Sequence, residues 1–244
     1  MNEVAALRRF FSRLQRSGVI ALDCNLEHRS FSSDHLFPEE ARAAEPMREQ
    51  RRHEFVAGRV LTRQLMVELG VLPAAIAVGK GRAPIWPEGL TGSITHSRSI
   101  CAVAMARSDD WVGIGIDLEQ FVPIEPDLHG MICSPDELAR LTALSQYPLS
   151  NLVCMVFSAK EAFFKAWFPL TGLFLEYRDA QVWLAPDLAS FTLKLVEPID
   201  SLAPGPFRGD LEIAHGHVAA SLILDSHPMR PTSLNAPVAC QVQP

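Results

Sequence analysis

Twice along the chain a helix-length periodic segment precedes an apolar run of strand length, and this pairing restricts the fold more than any other feature. The first segment covers about residues 47–70. Phe55, Val56, Val60, Leu61, Leu65, Met66 and Leu69 recur at the three-to-four-residue spacing of one helix face, and Gly70 offers a stop. The apolar run "SICAVAMAR" lies downstream of it. The second segment covers about residues 149–168, and "HVAASLILD" lies downstream. This predicts an α+β fold of two similar halves, residues 1–112 and 113–226, with 227–244 as a loose, proline-containing tail. No letter-by-letter repeat relates the halves, so one mixed domain is the other arrangement the pattern permits.

Smaller elements follow from local signals. "SICAVAMAR" and "WVGIGIDLE" are separated by turn-forming residues at Ser108–Asp110, which predicts a hairpin between them. Residues 3–16 read as a short basic helix, 21–45 as irregular with a helix start near "FPEEA", and 134–147 as helical. "AQVWLAPDLASFTLKLVEP" and "RGDLEIAHGHVAASLILD" read as strands.

Bulk properties exclude several classes. With 244 residues, 48% hydrophobic and 20% charged, the chain has enough length for a full core. A net charge of −6 gives no nucleic-acid footprint. No apolar run approaches the roughly 20 residues that span a bilayer, and arginines interrupt the N-terminal stretch where a leader would need an apolar core. Five scattered cysteines, Cys24, Cys101, Cys133, Cys154 and Cys240, form no C-x-x-C pair and are expected as reduced thiols. A cytoplasmic protein with no membrane or nucleic-acid partner is expected.

The residues that could carry chemistry fall in four places. In "GIDLE", at the end of an apolar strand, Asp117 and Glu119 are two apart and share a face, with Leu118 on the other. Two carboxylates there suit a hard cation such as Mg²⁺, or are simply acids emerging into solvent. In "FSAKEAFFKAW", Glu161 and Lys165 are four apart on a helix crowded with Phe157, Phe163, Phe164, Trp167 and Phe168. An ordinary surface ion pair is one reading. A carboxylate this close to a core, needing a partner or a metal, is the other. The loop "GKGRAPIWPEGLTGSITHS" combines Lys80, Gly81 and Arg82 with Thr95 and His96, residues compatible with phosphate, and it lacks the P-loop order. Last, "REQRRHEFVAGRVLTRQ" carries Arg51, Arg52, Arg59 and Arg63, either a solvated basic face or an anion grip. A divalent cation, several phosphate-binding cations and a candidate base suit chemistry on a phosphoanhydride.

In order, "GRAPIWP", "GSITHS", "GIDLE" and "FSAKEAFFKAW" resemble the signature motifs of the 4′-phosphopantetheinyl transferases of the surfactin-synthetase type. "RRHEFVAGR", "WPEGLTGS" and "KAWFPLTG" look like the subgroup containing the enterobactin-synthase transferase. The resemblance covers roughly residues 38–225. It implies transfer of the phosphopantetheine arm of coenzyme A to a serine of an apo acyl, peptidyl or aryl carrier protein, with adenosine 3′,5′-bisphosphate released. It implies Mg²⁺, with Mn²⁺ as the alternative, and two α+β halves about a pseudo-two-fold axis with coenzyme A between them. A monomer is expected, since the halves already build one cleft. Fatty-acid, polyketide, nonribosomal-peptide and siderophore pathways all use such enzymes.

Residue by residue, the resemblance implies that Asp117, Glu119, Glu161 and the Leu118 carbonyl hold the metal. Glu161 is also the candidate base. Lys165 contacts the pyrophosphate, Lys160 lies beside the same site, and Thr95 and His96 meet the phosphates. Arg51 and Arg59 hold coenzyme A phosphates, Lys80, Gly81 and Arg82 line the nucleotide, and Phe174 touches the pantetheine arm. Helical spacing favours Arg52 beside Arg59, whereas motif register favours Arg51. Phe157 stands where many relatives have Trp, and Ala162 where Ser is common.

Overall fold

The computed structural model describes residues 10, 14, 18–27, 31–198 and 205–225. The basic helix expected over 3–16 falls outside these residues except for Phe10 and Leu14, both helical and buried, and the tail 227–244 falls outside them altogether. The architecture is α+β, as the alternation of helix and strand patterns predicts.

The first helices are α1 (Pro38–Ala44) and α2 (Glu49–Glu68). The apolar face of α2 buries Ala57, Leu61, Leu65 and Met66 in one cluster with Cys101, Val103 and Met105. The helix ends where Gly70 takes a left-handed φ of 69°, a conformation that glycine adopts without a Cβ penalty. Beneath α2 lies a three-stranded antiparallel sheet in the order β1 (Ile20–Asn25), β5 (Ile100–Arg107), β4 (Leu90–Ser97). Strands β2 (Ala77–Val78) and β3 (Pro84–Ile85) form a small ribbon around a 3-10 turn at Lys80–Arg82.

Two sequence expectations change here. Residues 20–25 are not irregular: they form β1, paired with β5 from Ile20↔Met105 to Asn25↔Ile100. Asp23 and Asn25 interrupt its apolar pattern, so it reads as a strand only once β5 supplies the ladder. Nor do "SICAVAMAR" and "WVGIGIDLE" form a hairpin. β5 is already flanked by β1 and β4, and β6 (Gly113–Gln120) pairs instead with β10 (His217–Leu224).

The second sheet has five antiparallel strands in the order β6-β10-β9-β8-β7, where β7 is Ala180–Leu184, β8 Ser190–Leu195 and β9 Phe207–Ala214. The helix expected at 134–147 is shorter: α3 (Pro126–Ile132) and α4 (Pro135–Thr142) flank Ser134. Ser134 and Glu137 form a reciprocal cap, with the Glu137 amide donating to Ser134 Oγ at 3.2 Å and the Ser134 amide donating to Glu137 Oε2 at 2.8 Å.

Helix α5 (Leu149–Thr171) carries the motif "FSAKEAFFKAW" and lies across β6 and β10. It buries Phe163 and Trp167 against Phe207. The approach to β6 is close because position 115 has no side chain: a Cβ on Gly115 would stand 1.7 Å from the Ala162 carbonyl oxygen. The two sheets meet where β4 runs beside β6, joined by side chains. The Ile116 amide donates to Ser93 Oγ at 3.1 Å, and the Leu118 amide donates to Thr95 Oγ1 at 3.2 Å. Cys24, Cys101, Cys133 and Cys154 are buried and form no disulfide with one another. Among the described residues no helix is long and apolar enough to cross a membrane.

Candidate active site

The seam between β4 and β6, roofed by α5, gathers the charged residues. Asp117 on β6 is 2% exposed. Its Oδ1 accepts from Lys165 Nζ at 2.6 Å and from the Thr95 hydroxyl at 3.4 Å, and its Oδ2 accepts from the Ser158 hydroxyl at 2.8 Å. Lys165 also donates to Thr95 Oγ1 at 3.1 Å. Thr95 thus ties three elements together: β4, the β6 backbone and α5. On α5, Ser158, Glu161 and Lys165 are separated by three and four residues and so lie along one face. Ser158 escaped the sequence reading, although its spacing from Glu161 placed it there.

Glu119 sits at the end of β6, half-buried. Its carboxyl is pushed up to about 7, first by burial and then by the neighbouring Asp117 charge. Lys165 opposes the shift and Glu161 adds to it. Leu118 points away into the core with Ile116 and Ala219. Glu161 accepts a hydrogen bond on Oε1 from the Tyr177 hydroxyl at 2.5 Å. No spacing rule in the sequence pointed to Tyr177, which lies beyond the end of the helix.

The basic residues of α2 separate clearly. Arg51 Nη1 lies 2.7 Å from His96 Nε2 and donates to Glu54 Oε2 at 3.3 Å. A guanidinium is only a donor, so His96 Nε2 accepts, and the ring proton is assigned to Nδ1, which faces Glu54 Oε2 at 3.3 Å. Burial first, and the Arg51 charge second, hold His96 below its ordinary range, in keeping with a neutral ring. Arg52 instead donates to the carbonyls of Ala44, Glu45 and Met47, fastening the turn between α1 and α2. The geometry therefore places Arg51, and not Arg52, beside His96. Arg63 is held by Glu40. Arg59 is buried, with its guanidinium 3.8 Å from the Phe55 ring centroid and Nη2 donating to the Ile76 carbonyl. Desolvation lowers it to about 10.

The placement expected for Lys160 is wrong. Lys160 is 0% exposed and points into the core, not toward the charged seam. Its Nζ donates to Glu137 Oε2 at 3.0 Å, to the Ile132 carbonyl at 2.8 Å and to the Tyr177 carbonyl at 2.7 Å. With all three donors committed and no access to solvent, it cannot touch a bound nucleotide.

Two cavities open along the seam. One, of about 720 Å³, is lined by Arg82, Ser93, Glu161, Phe164, Lys165 and Tyr177, with Phe174 at its edge. Phe174 is 84% exposed. Gly81, at φ 61°, brings its backbone against the ring of Phe168, which a Cβ would meet at 3.2 Å. Lys80 and Arg82 are exposed on the same turn. The other cavity, of about 410 Å³, is lined by Glu54, His96, Glu119 and Phe157 among others.

Among the described residues no three His, Cys, Asp or Glu side chains stand close enough to form a metal shell. The donor chemistry nevertheless fits a hard cation. Asp117, Glu119 and Glu161 are all carboxylates, the oxygen donors that a hard cation prefers; Glu119, raised first by burial and then by the Asp117 charge, is the one whose charged form a cation would favour. Lys165 supplies the positive charge at Asp117 in this arrangement.

An α+β fold with acids and cations facing one another across a seam between two sheets is compatible with many chemistries, and comparison with known proteins supplies the family. Residues 39–106 match the model of the 4′-phosphopantetheinyl transferase N-terminal domain, and residues 113–201 match that of the 4′-phosphopantetheinyl transferase superfamily. The chain is 38% identical over 175 residues to the 4′-phosphopantetheinyl transferase Svp of Streptomyces mobaraensis, covering 71% of this chain and 69% of that one. It is 32% identical over 194 residues to the 4′-phosphopantetheinyl transferase PptT of Mycobacterium tuberculosis, covering 77% and 85%. Enterobactin synthase component D of Salmonella typhi is 33% identical over 120 residues, about half of each chain. The chain belongs to the 4′-phosphopantetheinyl transferase superfamily.

Proposed function

We propose that this enzyme moves the 4′-phosphopantetheine arm of coenzyme A onto a serine of an apo acyl or peptidyl carrier protein. The serine oxygen forms a new bond to the β-phosphorus, the pyrophosphate P–O bond breaks, and adenosine 3′,5′-bisphosphate leaves. The observation that carries this reading is the Asp117–Lys165–Thr95 cluster, with Glu161 beside it at a cavity of about 720 Å³.

Roles follow from position and charge. Arg51 and His96, with Arg59 behind them and Lys80, Gly81 and Arg82 across the loop, hold the nucleotide phosphates. In this assignment residues 1–112 supply the nucleotide contacts and residues 113–226 the acids. Lys165 contacts the pyrophosphate and stabilises charge on the leaving group. The apolar cavity wall, with Phe174 at its edge, takes the pantetheine arm. Glu161 accepts the serine proton, directly or through a water. Asp117, Glu119, Glu161 and the Leu118 carbonyl would hold Mg²⁺, or Mn²⁺, which when bound supplies Lewis-acid stabilisation of the phosphates. The protein acts as a cytoplasmic monomer on carriers of the fatty-acid, polyketide, nonribosomal-peptide or siderophore type.

The test is incubation with coenzyme A, Mg²⁺ and a panel of apo carriers, read by intact mass. Carriers should gain the phosphopantetheine arm. Glu161→Gln should cut turnover by about 10²–10⁴-fold, the range for losing a general base, while calorimetric coenzyme A binding persists. Hydrolysis of coenzyme A with no gain by any carrier would instead make the protein a phosphohydrolase.

A further inference from the structure

Lys160 and Glu161 are successive residues of α5 and point in different directions, yet both end on the same residue. Lys160 Nζ, inside the core, donates to the backbone carbonyl of Tyr177 at 2.7 Å. Glu161, on the cavity side, accepts from the Tyr177 hydroxyl at 2.5 Å. Tyr177 opens the 3-10 turn Tyr177–Asp179 that follows α5. Its ring packs against two further α5 residues, Phe157 and Phe164, with centroids 5.5 and 5.7 Å away.

The backbone end of this tether is rigid. The Lys160–Glu137 pair is 0% exposed on both sides. Glu137 is fixed in turn by the amides of Ser134 and Val182, each at 2.8 Å. Tyr177 is thus anchored to α4 and β7 through one lysine and to α5 through its ring, and its hydroxyl reaches Glu161.

We infer that Tyr177 is the positioning residue for Glu161, holding the carboxylate in its working orientation from a backbone pinned by the buried Lys160–Glu137 pair. This rests on the proposed role of Glu161 in the transfer. A glutamate side chain has several rotamers, and this one feels the negative charge of Glu119. Among the described residues no basic side chain forms an ion pair with it. A phenol is suited to the task. It donates a short hydrogen bond to a carboxylate, and it brings no positive charge to compete with a cation or to oppose proton acceptance. It occupies one carboxylate oxygen and leaves lone pairs on the other for substrate or metal.

Tyr177→Phe isolates the hydroxyl, because the ring contacts and the carbonyl bound by Lys160 are retained. Hydrogen-bond partners that orient metal-site ligands typically contribute about 10–100-fold. We expect kcat for carrier modification to fall by about that factor, with KM for coenzyme A within about twofold of wild type. Mn²⁺ affinity, read by electron paramagnetic resonance without substrate, should weaken by about tenfold or more. The thermal midpoint should stay within about 2 °C of wild type, since no buried group loses its packing. If kcat and Mn²⁺ affinity both match wild type, Tyr177 does not position Glu161 and the inference is overturned. A wild-type protein that modifies no carrier would instead sink the reading of the site, and this inference with it.

Discussion

Lys160→Met is the substitution that most sharply divides a core role from a site role. The change keeps a long unbranched side chain and removes the ammonium. Glu137 is left as a buried carboxylate with no cation, retaining only the amides of Ser134 and Val182. The carbonyls of Ile132 and Tyr177 lose their Lys160 donor. Breaking a buried pair by removing one partner destabilises by about 3–5 kcal/mol, because an uncompensated charge remains. For a domain of this size each kcal/mol moves the thermal midpoint by about 2–4 °C, so the fall should be on the order of 6–20 °C. Urea unfolding monitored by circular dichroism gives the free energy directly. Adding Glu137→Gln removes the stranded charge. The double variant should therefore be more stable than the sum of the single changes predicts, with a coupling of about 1–3 kcal/mol. If Lys160→Met unfolds within 1 kcal/mol of wild type while coenzyme A binding collapses, the buried-pair account fails and the lysine belongs with the substrate.

Two further outcomes discriminate between neighbouring residues or elements. Arg51→Ala should raise KM for coenzyme A by about tenfold, the worth of one charge-assisted contact, whereas Arg52→Ala should lower stability, by losing its three carbonyl contacts, and leave KM unchanged. Gly115→Ala should destabilise by 3 kcal/mol or more, beyond the usual overpacking range of about 1–3, because its Cβ would stand 1.7 Å from a backbone oxygen of α5. A soluble Gly115→Ala protein with wild-type unfolding would show that α5 can lift from β6 at little cost.

The long helices were legible because their apolar residues repeat at helical spacing over many turns. β1 was not: it is six residues long, and Asp23 and Asn25 break its pattern. The hairpin expected between β5 and β6 followed from adjacency and turn-forming residues. What decides the pairing is that both edges of β5 are taken by β1 and β4, and no local pattern carries that information. At the site, the two-residue period brought Asp117 and Glu119 forward, and the four-residue period linked Glu161 to Lys165. The family resemblance implies that Lys160 lies beside the site, but a motif match does not carry the direction of a side chain. Successive helical residues lie about 100° apart, which is enough to turn one into the core and the other toward the cavity. Tyr177 and Glu54 meet their partners through tertiary packing or through a helix turn that also suits plain surface pairing, so neither stood out.

The join between β4 and β6 has a consequence for how activity arises. Ser93 and Thr95 offer hydroxyls where a continuous sheet would offer backbone carbonyls. Thr95 is at once a fastener of the seam and a neighbour of Asp117 and Lys165. A chain that has built both sheets but not yet docked them therefore has its secondary structure and no site. In refolding experiments, the delay between recovered circular dichroism and recovered coenzyme A binding clocks the docking of β4 on β6.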